Sequence, residues 1–226
     1  MMIMYKINEN YFKIIDDKEK AYFLGIFYAD GNNYMTDKIK QASLELMLED
    51  IKVIEILKNK LQTDKPIKFR KAKIDKNNFK IKERCGLILS NKQICEDLYK
   101  HGCVPKKTFN LKFPIKESLS EEFYSSFIRG YFDGDGCVSV SEEGKIKSSI
   151  SGYHPFIFSL FEILKKENLN VKFYKNKRIK SFSELYIQGS KDNINFYNYI
   201  YDDSKLFLNR KKEKFMTIIN AQKGQG

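Results

Sequence analysis

Two acidic residues stand in matching surroundings. Around Asp30 the chain reads Ala21-Tyr22-Phe23-Leu24-Gly25-Ile26-Phe27-Tyr28-Ala29-Asp30-Gly31, and around Asp135 it reads Ser126-Phe127-Ile128-Arg129-Gly130-Tyr131-Phe132-Asp133-Gly134-Asp135-Gly136, 105 residues later. Both stretches are apolar nearly all round, which predicts a helix buried on most faces. Gly25 and Ala29 are four apart, as are Gly130 and Gly134. That spacing puts small residues on one face and lets two helix backbones approach closely. Packed on each other, the helices would bring Asp30 and Asp135 together at their C-terminal ends, with Gly31 and Gly136 as left-handed helix stops. Paired carboxylates repel, and the helix dipole disfavours negative charge at that end, so the arrangement asks for a cation. Hard oxygen ligands favour Mg²⁺, with Mn²⁺ as a substitute, and paired ions support in-line hydrolysis of a phosphodiester.

The elements that must position these acids also occur twice. After each copy comes a basic strand-like stretch, Lys38-Ile39-Lys40 or Lys145-Ile146-Lys147. A helix follows, with apolar residues at helical spacing (Ile51, Ile54, Leu57, Leu61; Ile157, Phe161, Leu164). Two alternating stretches read as antiparallel strands, Ile67 to Ile74 with Phe79 to Leu89, and Val171 to Ile179 with Phe182 to Gln188. A short helix ends each half (Lys92 to Lys100; Lys191 to Tyr201), before a basic cluster of Lys106 and Lys107 or of Arg210, Lys211 and Lys212. The expected fold is α+β, two pseudo-symmetric αββαββα subdomains with the acid-bearing helices at the centre. Pro105, Pro114 and Ser118-Leu119-Ser120 interrupt the pattern and place the boundary near 116, giving subdomains 1–116 and 117–226.

Charge points to the partner. The 226 residues carry 41 Lys+Arg against 29 Asp+Glu, a net +12 that suits a polyanion. Basic residues alternate with apolar ones: Lys68 and Arg70 flank Phe69, while Lys80, Lys82 and Arg84 follow Phe79 and enclose Ile81. Alternation predicts charges on one face and apolar residues on the other. Lys172, Lys175, Lys177, Arg178 and Lys180 make the second half equally basic, with Gln188 closing its last strand. On the earlier strand Gln41, Ser43, Glu45 and Met47 should face outward, toward nucleic acid, and Ala42, Leu44, Leu46 and Leu48 inward. No apolar run approaches the ~20 residues of a membrane span, and Lys6, Asn8, Glu9 and Asn10 break any signal-peptide pattern, so a soluble intracellular protein is expected. Cys85, Cys95, Cys103 and Cys137 form no C-x-x-C pair and read as reduced thiols. Abundant Lys, Asn and Ile suit an AT-rich genome, whether bacterial, phage or organellar.

The segments Leu24 to Gly31 and Arg129 to Gly136 resemble the LAGLIDADG motif, and the likeness in layout spans about residues 15–218. The resemblance implies a monomeric homing endonuclease, intron-encoded or free-standing, that makes a double-strand break in a long asymmetric DNA site. It implies two sheets forming a saddle on duplex DNA. It also implies metal ligation by Asp30 and Asp135, the catalytic acids, and by the backbone carbonyls of Ala29 and Gly134. Asp133 receives no catalytic role. Glu45 and Met47 depart from the Gln or Lys that relatives usually place near the metals. That leaves Lys106, Lys107, Arg210 and Lys211 as candidates for phosphate or transition-state contacts, or for anchoring backbone. An intron RNA maturase or a non-cleaving DNA-binding regulator is the alternative on the same fold.

Overall fold

The computed structural model describes residues 5–74, 78–140, 146–202 and 204–223. The first half runs α1 (Lys18–Ala29), β1 (Gly31–Met35), β2 (Lys40–Met47), α2 (Ile51–Lys60), β3 (Lys68–Arg70), β4 (Lys73–Ile74), β5 (Lys80–Ile81), β6 (Arg84–Leu89) and α3 (Lys92–Lys100). The second runs α4 (Tyr124–Asp135), β7 (Cys137–Val140), β8 (Ile146–Tyr153), α5 (His154–Lys166), β9 (Val171–Lys175), β10 (Phe182–Gln188), α6 (Ser190–Tyr201) and α7 (Asn209–Lys223). The expected αββαββα order is present twice, with two additions: the β4–β5 hairpin in the first half and α7 in the second.

Each half builds one antiparallel four-stranded sheet, in the order β1-β2-β6-β3 or β7-β8-β10-β9. Polar and apolar residues alternate along the central strands, so one sheet face is buried and the other is open. On β2, Ala42, Leu44 and Leu46 are buried, and on β6 Cys85, Leu87 and Leu89. They meet Val53, Ile54 and Leu57 of α2 and Ile94, Cys95 and Leu98 of α3 in one apolar core. In the second half Ile150, Leu185 and Ile187 meet Phe156, Leu160, Phe196 and Ile200. Burying each such side chain contributes roughly 2 kcal/mol. Asn91 caps α3 by accepting from Ile94 N at 2.9 Å, and Asp17 caps α1 by accepting from Lys20 N at 2.7 Å.

Between the halves lie α1 and α4, crossing at their glycines. A Cβ added at Gly25 would stand 2.9 Å from Tyr131 N and nearer still to the Phe127 carbonyl oxygen. A Cβ at Gly130 would meet Ile26 N at 2.9 Å and the Tyr22 carbonyl oxygen closer yet. The approach is reciprocal, backbone against backbone, and only a missing side chain on each helix permits it.

Two expectations fail. Neither Gly31 nor Gly136 adopts positive φ; Gly136 is extended, at φ −72° and ψ 155°. Crowding accounts for both glycines instead, since an added Cβ would lie 2.6 Å from the Phe27 carbonyl oxygen at Gly31 and 2.6 Å from Phe132 Cγ at Gly136. The apolar residues alternating with charge around β3 to β5 do not face the core, for Phe69 is 65% exposed and Phe79 69%. β3 pairs with β6 over three residues only, and the chain then leaves for a two-stranded hairpin. Among the described residues no helix is long and apolar enough to cross a membrane. All four cysteines are free thiols.

Candidate functional site

Asp30 caps α1, its N–H donating to the Ile26 carbonyl at 2.9 Å, and Asp135 is the last residue of α4. Ala29 and Gly134 face each other where the helices end: a Cβ at Gly134 would stand 2.9 Å from Asp30 Oδ2 and closer to the Ala29 Cβ. The Asp30 carboxylate therefore lies over the residue that precedes Asp135. Both pKa values are raised, first by the protein mass that displaces water from each carboxyl. For Asp135, which keeps one side open to solvent, the second cause is the Asp30 carboxylate itself. Lys107 pulls both back, helped at Asp30 by Arg84, Arg210 and Lys211 and at Asp135 by the Tyr131 hydroxyl and Lys211. Two converging carboxylates beside backbone carbonyls form a hard oxygen donor set. Mg²⁺ takes one or two carboxylates and completes its shell with water and substrate phosphates, so it fits here without a third acidic ligand. Among the described residues no cluster of three or more His, Cys, Asp or Glu offers a rival site.

The four basic candidates divide. Lys107 Nζ donates to the carbonyls of Phe27, Tyr28 and Ala29 at 2.9, 2.6 and 2.7 Å, closing the end of α1, which carries no basic residue in its own last turn. Lys211 Nζ donates to the Gly136 carbonyl and lies 5.7 Å from the Phe132 ring centroid. Burial lowers the pKa of both lysines. Arg210 Nε is 2.8 Å from Oδ2 of the buried Asp50, in the turn before α2. This ion pair joins the two halves, so Arg210 is an anchor whose guanidinium is already engaged. Lys106 is exposed, in the left-handed region at φ 54°.

Strand register maps the open sheet faces. In the first half, Tyr34 sits opposite Gln41, Asn32 opposite Ser43 and then Ile88, Glu45 opposite Gly86 and then Lys68, and Met47 opposite Arg84 and then Arg70. Glu45 bridges two of these cations, Arg70 at 2.8 Å and Arg84 at 3.7 Å. In the second half, Ser139, Lys147 and Gln188 share a row, then Cys137, Ser149, Tyr186 and Lys172, then Ser151, Glu184 and Tyr174. There Lys147 Nζ lies 4.1 Å from the Tyr186 ring centroid, and Lys172 Nζ donates to Gln188 Oε1 at 3.3 Å. Lys175 is exposed on β9; Lys177, Arg178 and Lys180 are exposed in the turn after it. Lys38 is exposed in the turn before β2, Lys40 begins that strand, and Lys80 and Lys82 are exposed on and beside β5. Lys145 lies outside the described residues.

With two acids at touching helix ends and a polar sheet face on each side, the geometry can be set against known proteins. Residues 122–201 match the LAGLIDADG-like domain family. The whole chain has the fold of solved LAGLIDADG homing endonucleases. I-WcaI bound to its DNA recognition sequence is 17% identical, with 92% of this chain and 91% of that one covered and a TM-score of 0.61. I-AabMI bound to uncleaved DNA is 12% identical, covering 90% and 91%, at a TM-score of 0.57. I-SmaMI bound to an uncleaved DNA target in the presence of calcium ions is 10% identical, covering 91% and 92%, at 0.53. No curated protein matches by sequence. The helices that cross at Gly25 and Gly130 carry the two stretches that resemble the LAGLIDADG motif, and the second of them lies within the matched residues.

One buried group escaped sequence reasoning. Asp133, wholly buried, accepts from Tyr22 Oη at 2.9 Å, Tyr201 Oη at 2.5 Å and Leu208 N at 2.8 Å. It ties α1, α4, α6 and the approach to α7 together. Nearby, Arg129 donates to the carbonyls of Leu206 at 3.0 Å and Ile200 at 2.8 Å. An acid and an arginine inside an otherwise apolar helix were the available signal, because buried charges require partners.

Proposed function

We propose that this protein is a monomeric, divalent-metal-dependent endonuclease that makes a double-strand break at a long, asymmetric duplex DNA site, with residues 1–116 and 117–226 each reading one half. The observation that carries the reading is the delivery of Asp30 and Asp135 to one place by two helices whose glycines allow backbone contact. Mg²⁺, or Mn²⁺ in its stead, would be held by the two carboxylates with the Ala29 and Gly134 carbonyls. Bound there, it would neutralise the pair, activate water and stabilise the leaving oxygen. Lys107 and Lys211, 77 and 76 residues after the acids, supply positive charge beside the position of the scissile phosphates.

The two open sheet faces favour an asymmetric target. The first presents Arg70 and Arg84 around Glu45, and the second presents Tyr174 and Tyr186 beside Lys147 and Lys172. Arginine reads guanine bidentately, whereas aromatic and apolar groups contact thymine methyls. Different chemistry on matching strands would read different half-sites.

Selection from a randomised duplex library tests the reading, with Mg²⁺ for cutting and Ca²⁺ for binding. The wild type should cut one sequence family, and Asp30→Asn and Asp135→Asn should bind it without cutting. Selective binding with no cutting in any metal would leave a regulator. Absence of both would point to intron RNA as the partner.

A further inference from the structure

Lys107 and Lys211 follow the two acids at nearly the same interval, yet they hold different atoms. The three protons of the Lys107 ammonium are matched by three carbonyls, those of Phe27, Tyr28 and Ala29, at 2.6 to 2.9 Å. Lys211 reaches the Gly136 carbonyl, on the far side of its acid. The carbonyl that precedes each acid is therefore in a different condition in the two copies. Ala29 O is engaged by an ammonium at 2.7 Å. Among the described residues, Gly134 O meets no lysine.

The first copy has reason to hold a cation of its own. The last carbonyls of a helix lack intrahelical donors and carry its negative end. α1 adds the Asp30 carboxylate at its cap and, like α4, has no basic residue in its last turn, so what sets the first copy apart is the lysine seated on its carbonyls. Lys107 supplies the missing charge from beyond α3, its ammonium set on the last carbonyls of α1. An ammonium and a divalent ion compete for the same oxygen electrons and repel at contact distance.

We propose that Lys107 is a built-in counter-cation of the first copy: its ammonium must leave the Ala29 carbonyl before a divalent ion is held at Asp30, so the two acids take up metal unequally, Asp135 first. The proposal rests on the reading of Asp30 and Asp135 as metal ligands.

The test uses the full-length protein without DNA and Mn²⁺ alone, with binding followed by electron paramagnetic resonance. The wild type should show two affinities at least about tenfold apart. Asp135→Asn should remove the tighter and Asp30→Asn the weaker. Lys107→Met should tighten the weaker site by about tenfold or more, and adding Asp30→Asn should abolish that gain. Lys107→Gln, whose neutral amide still donates to the carbonyls, should behave alike and covers the case in which the methionine variant does not fold. Unchanged Mn²⁺ affinities in both Lys107 variants, or a gain that survives Asp30→Asn, would overturn the proposal and leave the metal reading intact. Binding indifferent to both acids would overturn the metal reading, and the proposal with it.

Discussion

Gly130→Ala should separate the roles of the two central helices. The added Cβ would stand 2.9 Å from Ile26 N and 3.0 Å from the Tyr22 carbonyl carbon, and nearer to the carbonyl oxygen itself. These are backbone atoms inside a helix, so none can rotate aside. Carbon–oxygen contacts of this kind settle near ~3.3 Å, which requires the helices to part by about 1 Å at the crossing. Two effects oppose each other. Alanine in place of glycine favours a helix by ~1 kcal/mol, whereas overpacking costs ~1–3 kcal/mol, and rigid backbone on the far side puts this site at or above the top of that range. A net loss of about 2 kcal/mol lowers the Tm of a chain this long by roughly 4–8 °C. The functional loss should be larger in proportion, because a displacement of about 1 Å at the reacting groups costs ~100-fold in rate. Thermal melts, cleavage of the selected duplex and binding in Ca²⁺ would be compared, with binding changing least because the sheet faces are untouched. The double variant Gly25→Ala/Gly130→Ala should cost less than the sum, since helices already apart leave room for the second methyl. A Gly130→Ala protein as stable and active as the wild type would refute the claim that these glycines set the distance between Asp30 and Asp135.

Two further outcomes follow from buried charges. Burial holds the Asp133 carboxyl up at about 6, against the ordinary 3.8. A folded pKa above the unfolded one gives stability that is complete below the ordinary carboxylate range and is lost as pH rises through about 6. That loss is ~3 kcal/mol, so the destabilisation caused by Asp133→Asn should shrink by about this much between pH 4 and 7 in urea denaturation; a constant difference would rule out the titration. Arg210→Ala would strand the buried Asp50 carboxylate and cost ~3 kcal/mol, most of it recovered in Arg210→Ala/Asp50→Asn. A double-mutant cycle with coupling under ~0.5 kcal/mol would show that the pair does not join the halves.

The contrast between what the sequence discloses and what it conceals is itself physical. Duplication makes the framework legible: the αββαββα order needs only local periodicity, and α3 falls on Lys92–Lys100 because an Asn cap precedes a strongly amphipathic turn. Small residues four apart in both copies disclose the helix crossing, since a close approach must remove side chains from both partners. Single-instance features leave no such trace. Among the described residues the β4–β5 hairpin has no counterpart in the second half, where a turn replaces it, and its alternating pattern imitates a core strand although Ile74 and Phe79 are 70% and 69% exposed. α7 is held by Phe215, which packs on Phe132 and Phe196, residues whose own halves of the pattern are complete without it.

Contacts across the halves are the least legible of all, because each is made once. Arg210 bonds Asp50, but the matching first-half residue is Lys106, and the stretch where the second core helix begins reads Tyr153-His154-Pro155-Phe156, with no carboxylate to hold a cation. There Phe109 meets Phe182 instead, with ring centroids 5.6 Å apart. One seam is ionic and the other aromatic, on a framework that repeats. A chain free to vary each copy separately can keep the acids paired while the seams diverge, and Lys107 and Lys211 show the same divergence at the centre. The functional asymmetry therefore has to be read from individual side chains, since the repeat that reveals the site averages it away.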